Sequence, residues 1–175
     1  MKIRNIIITL VSAIALLISA STVSFAKVVG DKIILGAAVS LTGKYSSNGV
    51  HTQNGYNLAV ERINGMGGVT VGGKSYKFEI IYYDDESNSG RAAQLAERLI
   101  KQDGVQFMLG PYSSGLTKAM APVTEKYGIP MVEANGASRS LFTKGYKYLF
   151  AVLAPANLYL DVAITTAVEL NGGKP

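Results

Sequence analysis

Cysteine and tryptophan are missing from this sequence altogether, and only one of its 175 residues is histidine. Without a thiol there is no disulfide scaffold, thiolate metal site, cysteine nucleophile or lipid-anchored lipoprotein. Charged residues are also few, at 17%, whereas 48% of the residues are apolar and 19 are glycine. Such a composition is typical of a packed globular chain, and it excludes the disordered and coiled-coil classes.

Candidates for catalysis are equally few. No serine is paired by the sequence with the single histidine, His51, so a catalytic triad is not supported. The acidic residues 84–86 follow a predicted strand and have two interpretations. They bind a metal or a phosphoryl group, or they form a solvated loop in which Asn88 or Ser89 caps the next helix, and the second is the more typical arrangement. We predict that the chain is not an enzyme and that it has no cofactor and no metal site.

The N-terminus has the pattern of an export signal. Lys2 and Arg4 form a basic start, residues 6–20 are almost entirely apolar, and residues 24–26 place small residues at both positions that flank a cleavage point. The alternative, a membrane anchor, needs about 20 apolar residues and usually ends in charges. We therefore predict a signal peptide over residues 1–26, cleaved after Ala26.

The remaining chain is close to neutral. The 17 basic residues less Lys2 and Arg4 leave 15, against 12 acidic residues, which is a net charge of +3. A nucleic-acid partner or an anionic membrane would need clustered basic residues, so we predict neither. An exported chain with no cysteine to carry a lipid is expected free in solution, which predicts a periplasmic location.

Stretches of strand and helix alternate from residue 27 onward. Five apolar stretches have the length of strands: 33–39, 78–83, 105–109, 129–133 and 148–152. Because they are apolar on both faces, they suit a buried parallel sheet. Between them, apolar residues recur at i, i+3, i+4 and i+7, as in helices that pack on a sheet. The pattern predicts an α/β fold with a doubly wound parallel sheet.

Three details add to this prediction. Residues 69–71 and 74–80 flank Gly72-Gly73 and predict a small antiparallel hairpin. Pro122 lies inside the third helical stretch, which predicts a kink or a late start for that helix. A further helix over 158–170 is followed by no strand. We therefore predict one lobe over residues 27–152. Residues 153–175 are predicted to contain the hinge segment that crosses to a second lobe, and the first helix of that truncated lobe.

Ligand sites in such sheets lie at the carboxyl ends of the strands, where the strand order reverses. An order of 2-1-3-4-5 places the cleft between the first and third strands. Ser113 or Ser114 then begins a helix beside the cleft, where free backbone N–H groups and the helix dipole favour an anion. A P-loop lysine and a glycine fingerprint are both missing, so a carboxylate fits better than a phosphate. The alternative is that the serine simply caps its helix. The loop 134–138 is small and polar, which suits either a ligand contact or a plain connection.

Several short motifs in this order resemble those of a known family. They are Gly36-Ala37-Ala38-Val39-Ser40-Leu41-Thr42-Gly43, Asn54-Gly55-Tyr56-Asn57-Leu58-Ala59-Val60-Glu61-Arg62-Ile63-Asn64 with Gly67-Gly68, Tyr83-Asp84-Asp85, Gly110-Pro111-Tyr112-Ser113-Ser114, Gly128-Ile129-Pro130 and Gly145-Tyr146-Lys147-Tyr148. Together they resemble the leucine/isoleucine/valine-binding type of periplasmic receptor, the solute-binding subunit of branched-chain amino acid ABC transporters. The resemblance covers residues 32–175 and implies a type I periplasmic-binding lobe, in a two-lobed clamp about twice this length.

The resemblance also implies roles for individual residues. The hydroxyl and N–H of Ser114, together with the loop 135–138, would hold the carboxylate of a small solute. The same loop and a second lobe would meet the ammonium group. The predicted ligand-binding residues are Ser114, Ser113, Tyr112, Asn135, Gly136, Ala137, Ser138, Tyr45 and Asn48. Two positions depart from the amino-acid pattern: Ala137 stands where relatives often have a hydroxyl, and the loop around Tyr45 is more polar than the aromatic wall of leucine-type receptors.

The expected function is therefore capture of an amino acid or related carboxylate by a monomer that delivers it to a membrane permease. The alternative is the ligand-sensing domain of a signalling receptor with the same fold. The sequence leaves open whether the solute is a branched-chain amino acid, an amide, urea or an aromatic acid.

Overall fold

The computed structural model describes residues 28–174, so the predicted signal peptide lies outside the described residues. Seven strands occur in this part of the chain: β1 Val28–Val29, β2 Lys32–Val39, β3 Val69–Val71, β4 Lys74–Asp84, β5 Met108–Leu109, β6 Met131–Glu133 and β7 Leu149–Ala151. The helices are α1 Ser46–Gly65, α2 Ser89–Lys101, α3 Ser114–Tyr127 and α4 Asp161–Leu170, with short 3-10 turns at Arg139–Leu141 and Ala156–Leu158.

The sheet confirms the predicted topology. Its strand order is β3-β4-β2-β5-β6-β7, and β1 pairs with the start of β2. The five predicted strands, β2, β4, β5, β6 and β7, pair in parallel with their neighbours in the order 2-1-3-4-5. The predicted hairpin is present as well, because β3 and β4 pair antiparallel across Gly72-Gly73. The chain has the α/β fold with a mostly parallel sheet that the sequence predicts.

One face of the sheet is closed by α2 and α3. The apolar stripe of α2 and that of α3 are both buried, and they pack on the same face as Ile34 and Ala38 of β2. Close approach is possible there because β2 carries Gly36, where a Cβ atom would lie 2.8 Å from the side chains of Val105 and Met108. These contacts form the hydrophobic core of the described chain.

The opposite face is covered only in part, by α1. The side chain of Asn64 exchanges two 2.8 Å hydrogen bonds with the backbone of Phe78, which fastens the end of α1 to β4. Beside α1 an apolar groove of about 390 Å³ remains open. Its walls consist of apolar residues from the strands and the segments next to them: Ile33, Leu35, Val69, Val71, Phe78, Phe107, Met108, Leu109, Pro130 and Val132. Helices therefore lie on both faces, as predicted, but the second face keeps exposed apolar surface.

Several predicted boundaries are wrong, and β6 and β7 have three residues each in place of the predicted five. Strand β5 has two residues in place of the predicted five, because only Met108 and Leu109 have partners in register on both sides. Helix α3 starts at Ser114 and contains Pro122, so of the two predicted alternatives, a kink or a late start, the late start does not occur. The last helix begins at Asp161, after a separate 3-10 turn. Every residue of α4 except Val168 is exposed. Within residues 28–174, no helix combines the length and apolarity needed to cross a bilayer.

Candidate functional site

A cavity of about 450 Å³ opens at the carboxyl edge of the sheet, between α1 and the loops that follow β5 and β6. Its lining combines polar, aromatic and small residues: Asn48, His51, Thr52, Gly55, Tyr56, Tyr112, Ala134 and Asn135. This volume is in the range of sites for small metabolites. The position agrees with the cleft expected where the strand order reverses between β2 and β5.

The predicted site residues divide into two groups around this cavity. Asn48, Tyr112 and Asn135 line it directly. The other six, Tyr45, Ser113, Ser114, Gly136, Ala137 and Ser138, belong to the same loops but are not in its wall. Five of the lining residues were not predicted. Of these, Tyr56 was named only as part of the family motif of residues 54–64, and His51 lies exposed on the second turn of α1.

Ser113 is the N-cap of α3. Its Oγ accepts a hydrogen bond from the N–H of Leu116 at 3.4 Å, and its carbonyl oxygen accepts the Oγ1 hydroxyl of Thr117 at 2.9 Å. The capping interpretation therefore holds for Ser113. Its backbone has φ +82° and ψ 143°, a region that residues other than glycine seldom occupy, and such strain clusters at functional sites.

Ser114 has the donors that an anion needs. Its Oγ accepts the N–H of Ser138 at 3.0 Å, so the hydroxyl proton remains available to donate. Over residues 28–174, nothing accepts the N–H groups of Ser114 and Gly115, which are in the first turn of α3. With the dipole of α3 behind them, these three donors favour a carboxylate.

The loop after β6 is organised by a buried carboxylate that the prediction missed. One oxygen of Glu133 accepts the N–H groups of both Asn135 and Gly136, and the other lies 2.7 Å from the Thr117 hydroxyl, whose single proton is shared between this oxygen and the Ser113 carbonyl oxygen. Glu133 is fully buried, and this burial raises the pKa of its carboxyl group. A glutamate that ends an apolar strand directly before a loop of small residues was the available sequence signal.

Glu133 corrects one expectation about this loop. The prediction was that the backbone of this loop is free to contact the solute. However, the N–H groups of Asn135 and Gly136 donate to Glu133, and the N–H group of Ser138 donates to Ser114. In the part of the loop that was predicted to bind ligand, only the N–H of Ala137 has no acceptor among the described residues. The loop therefore offers fewer donors than its sequence suggests.

Two tyrosines, Tyr56 and Tyr112, are in the wall of the cavity, and Tyr45 contacts Tyr112. The rings of Tyr45 and Tyr112 meet edge to face, with centroids 5.6 Å apart, and the Lys44 ammonium lies 4.7 Å from the Tyr45 ring centroid. The Tyr56 hydroxyl donates to the carbonyl oxygen of Gly110 at 2.7 Å, which holds α1 against the end of β5. Burial, and secondarily the charge of Glu133, raises the pKa of Tyr56 far above its ordinary value, so this phenol stays a neutral donor.

The acidic loop after β4 is solvated at Glu86 and Asn88, as the sequence indicated, but Asp85 is buried and Asp84 is only partly exposed, because both are held by hydrogen bonds. Burial favours protonation of Asp84, but hydrogen bonds from Thr42 and from the N–H groups of Glu86 and Leu41 outweigh it and lower the pKa of that carboxyl. Asp85 is fully buried, and its pKa is raised by that burial. Asn88 caps α2, as predicted, by accepting the N–H of Arg91. The described residues contain no cluster of side chains suited to a metal ion.

The family profile described as "periplasmic binding protein" matches residues 32–175. The chain is similar to the leucine-, isoleucine-, valine-, threonine-, and alanine-binding protein of Pseudomonas aeruginosa, with 28% identity over 76% of this chain and 34% of that protein. Among solved structures it is similar to a branched-chain amino acid transporter substrate-binding protein of Streptococcus pneumoniae in complex with isoleucine. That match has 32% identity and a TM-score of 0.63, and it covers 70% of this chain and 34% of the other.

A second solved structure has a different solute. It is a solute-binding protein of an ABC transporter from Rhodopseudomonas palustris in complex with 3,4-dihydroxybenzoic acid, with 25% identity and a TM-score of 0.66, covering 81% of this chain and 37% of that chain. The chain therefore spans about a third of the length of the relatives that it matches.

Proposed function

Because this chain belongs to the periplasmic binding protein family, we propose that it is part of an exported solute-binding subunit of an ABC transporter. In this proposal it captures an amino acid or a related small carboxylate and delivers it to a membrane permease, without catalysis. The observation that carries the proposal is a metabolite-sized cavity whose wall includes Tyr112, two residues before Ser114, where α3 starts with N–H groups that have no acceptor among the described residues.

The carboxylate of the solute binds at the start of α3. The Ser114 hydroxyl and the N–H groups of Ser114 and Gly115 supply hydrogen bonds to it, and a charged acceptor makes each bond worth about 1.5–3 kcal/mol. No lysine or arginine is in the cavity lining, so these neutral donors and the helix dipole hold the charge.

The rest of the solute lies toward α1 and the tyrosines. Tyr56 and Tyr112 provide ring surface, while Asn48 and Thr52 provide polar groups on the same wall. This mixture suits a solute with one acidic end and a modest apolar body. Both kinds of solute named in the complexes of similar proteins, a branched-chain amino acid and a hydroxylated benzoate, fit that description.

The organisation of the whole protein is part of the same proposal. Residues 27–152 form the first lobe of a monomeric clamp, and residues 153–175 form the crossing and the first helix of a second lobe. The length of the relatives and the exposure of α4 support this division. Residues 1–26 direct export to the periplasm, where the signal peptide is removed.

The experiment is isothermal titration of the full-length, two-lobed protein with L-leucine, L-isoleucine and 3,4-dihydroxybenzoic acid, before and after Ser114→Ala. Loss of one charge-assisted hydrogen bond should raise the dissociation constant about ten- to hundredfold. The matched control is Ser89→Ala, because Ser89 begins α2 as Ser114 begins α3, but no residue of the loop before α2 lines the cavity, whereas Tyr112 of the loop before α3 does. Absence of heat with all three solutes, or equal binding by Ser114→Ala, would contradict the proposal.

A further inference from the structure

Glu133 connects three parts of the candidate site. It ends β6, it accepts the hydroxyl of Thr117 on α3, and it accepts two successive N–H groups of the loop that follows it. Its surroundings are closely packed, since a Cβ atom on Gly110 would lie 2.2 Å from the Oε2 atom of Glu133. The carboxyl group is therefore fixed in place, and the loop is fixed to it.

The direction of these hydrogen bonds determines which side of the loop carries acceptors. No described peptide bond is cis, and in a trans peptide the N–H and the preceding C=O point in opposite directions. Because the N–H groups of Asn135 and Gly136 point at Glu133, the carbonyl oxygens of Ala134 and Asn135 point away from it. Within residues 28–174 neither oxygen accepts a hydrogen bond, and Ala134 and Asn135 both line the cavity.

We propose that Glu133 is a positioning residue that fixes the peptides of residues 134–136 so that the cavity receives carbonyl acceptors in place of N–H donors. This inference rests on the proposed function. The loop then accepts hydrogen bonds from a donor group on the solute, such as an ammonium, amide or hydroxyl, while the start of α3 holds the acid end. Glu133 itself does not contact the solute, because it is fully buried.

Two substitutions of similar size separate this role from simple packing. In Glu133→Gln, the side-chain oxygen still accepts both N–H groups. Its NH₂ group donates to Thr117 Oγ1, whose own proton goes to the Ser113 carbonyl oxygen at 2.9 Å. In Glu133→Met, the acceptor is lost with little change in volume, so the two peptides are free to rotate.

The experiment measures hydrogen exchange of backbone amides by NMR in the 175-residue chain and in both variants. The amides of Asn135 and Gly136 should be protected in the wild type and in Glu133→Gln, and should exchange at least about tenfold faster in Glu133→Met. The amide of Arg91, capped by Asn88 at a distant helix, is the internal control and should not change. Titration of the full-length, two-lobed protein with L-leucine should give a dissociation constant about tenfold higher in Glu133→Met and within about threefold of wild type in Glu133→Gln.

Each outcome bears on one of the two claims. Unprotected Asn135 and Gly136 amides in the wild type, or equal protection in Glu133→Met, overturn the positioning role. Faster exchange in Glu133→Met with unchanged leucine affinity shows that the contact is only structural, and it overturns the role as well. A wild type that binds no solute overturns the proposed function, while the exchange data alone still decide whether Glu133 orients the loop. If Glu133→Met does not fold, Thr117→Val provides the second variant. It removes the hydrogen bond between the Thr117 hydroxyl and the Glu133 carboxyl group, and it should also speed amide exchange at Asn135 and Gly136.

Discussion

Asp85 and Glu133 are buried carboxyl groups placed in the same way at the loops after β4 and β6. Asp85 directly follows β4 and accepts the N–H of Ser87, and Glu133 ends β6 and accepts the N–H of Asn135, in each case two residues further along the chain. Asp85 also binds the Ser40 hydroxyl at 2.6 Å, which joins the ends of β4 and β2. At the scale of single residues, the shape of the carboxyl edge is therefore set by acids that turn inward.

A pH dependence of stability follows from the burial of Glu133. Burial raises the pKa of Glu133 in the folded chain, so the folded state binds its proton more tightly than the unfolded state does. The stabilisation from this group is complete below the ordinary carboxyl pKa of about 4.3 and is lost as the pH rises through the raised value. Glu133→Gln removes this titration.

The measurement is urea unfolding of wild type and Glu133→Gln at several pH values between 4 and 8. The difference between their free energies of unfolding should shift in favour of the variant as the pH rises. Comparing the two proteins cancels the other titrating groups, including Asp84, whose lowered pKa acts in the opposite direction. A difference that stays constant over this range would contradict the raised pKa of Glu133.

At the scale of elements, the site depends on how closely α1 approaches the sheet. A Cβ atom on Gly49 would lie 1.8 Å from the carbonyl oxygen of Ser40, at the end of β2. This contact and the hydrogen bond from Tyr56 to Gly110 set the distance between α1 and the strands, and therefore the width of the cavity.

Gly49→Ala should consequently destabilise the protein by about 2–3 kcal/mol, because the new methyl group overlaps backbone that has no room to move. Gly55→Ala is the matched control in the same helix. A Cβ atom there meets nothing within 4 Å, so it should stabilise the helix by about 0.5–1 kcal/mol. Urea unfolding of both variants is the measurement, and equal effects of the two substitutions would show that α1 does not pack on Ser40 as described.

These elements also show how far the sequence alone was informative. The parallel strands, the hairpin and the helical stripes follow from local periodicity and were predicted, whereas the strand order 2-1-3-4-5 was assumed in locating the cleft and is the order found. The roles of Glu133, Tyr56 and Thr52 were not, because each depends on which side chains meet across the fold. A glutamate in an apolar strand indicates a buried acid, but its partners lie on α3 and in the following loop, which no spacing in the sequence specifies.

At the scale of the whole molecule, the two faces of the sheet are unequal. The face under α2 and α3 is closed, whereas the groove beside α1 leaves apolar side chains in contact with water, with Val71 59% exposed, Phe107 40% and Val132 38%. Contiguous apolar surface of this kind is uncommon on a soluble monomer. The described part of the chain therefore has one closed face and one face with exposed apolar surface.

We expect this groove to bind an apolar fluorescent dye such as anilinonaphthalene sulfonate while the chain remains folded, because its lining is almost entirely apolar. Val132→Lys places a charge in the groove and should remove most of the dye fluorescence. Leu58→Lys is the control, since Leu58 is equally apolar and 67% exposed but lies on α1, outside the groove lining. Near-ultraviolet circular dichroism recorded on the same samples separates a folded chain from a molten one, which also binds the dye. Equal loss of fluorescence in the two variants would place the bound dye elsewhere and would show that the second face of the sheet is closed in solution.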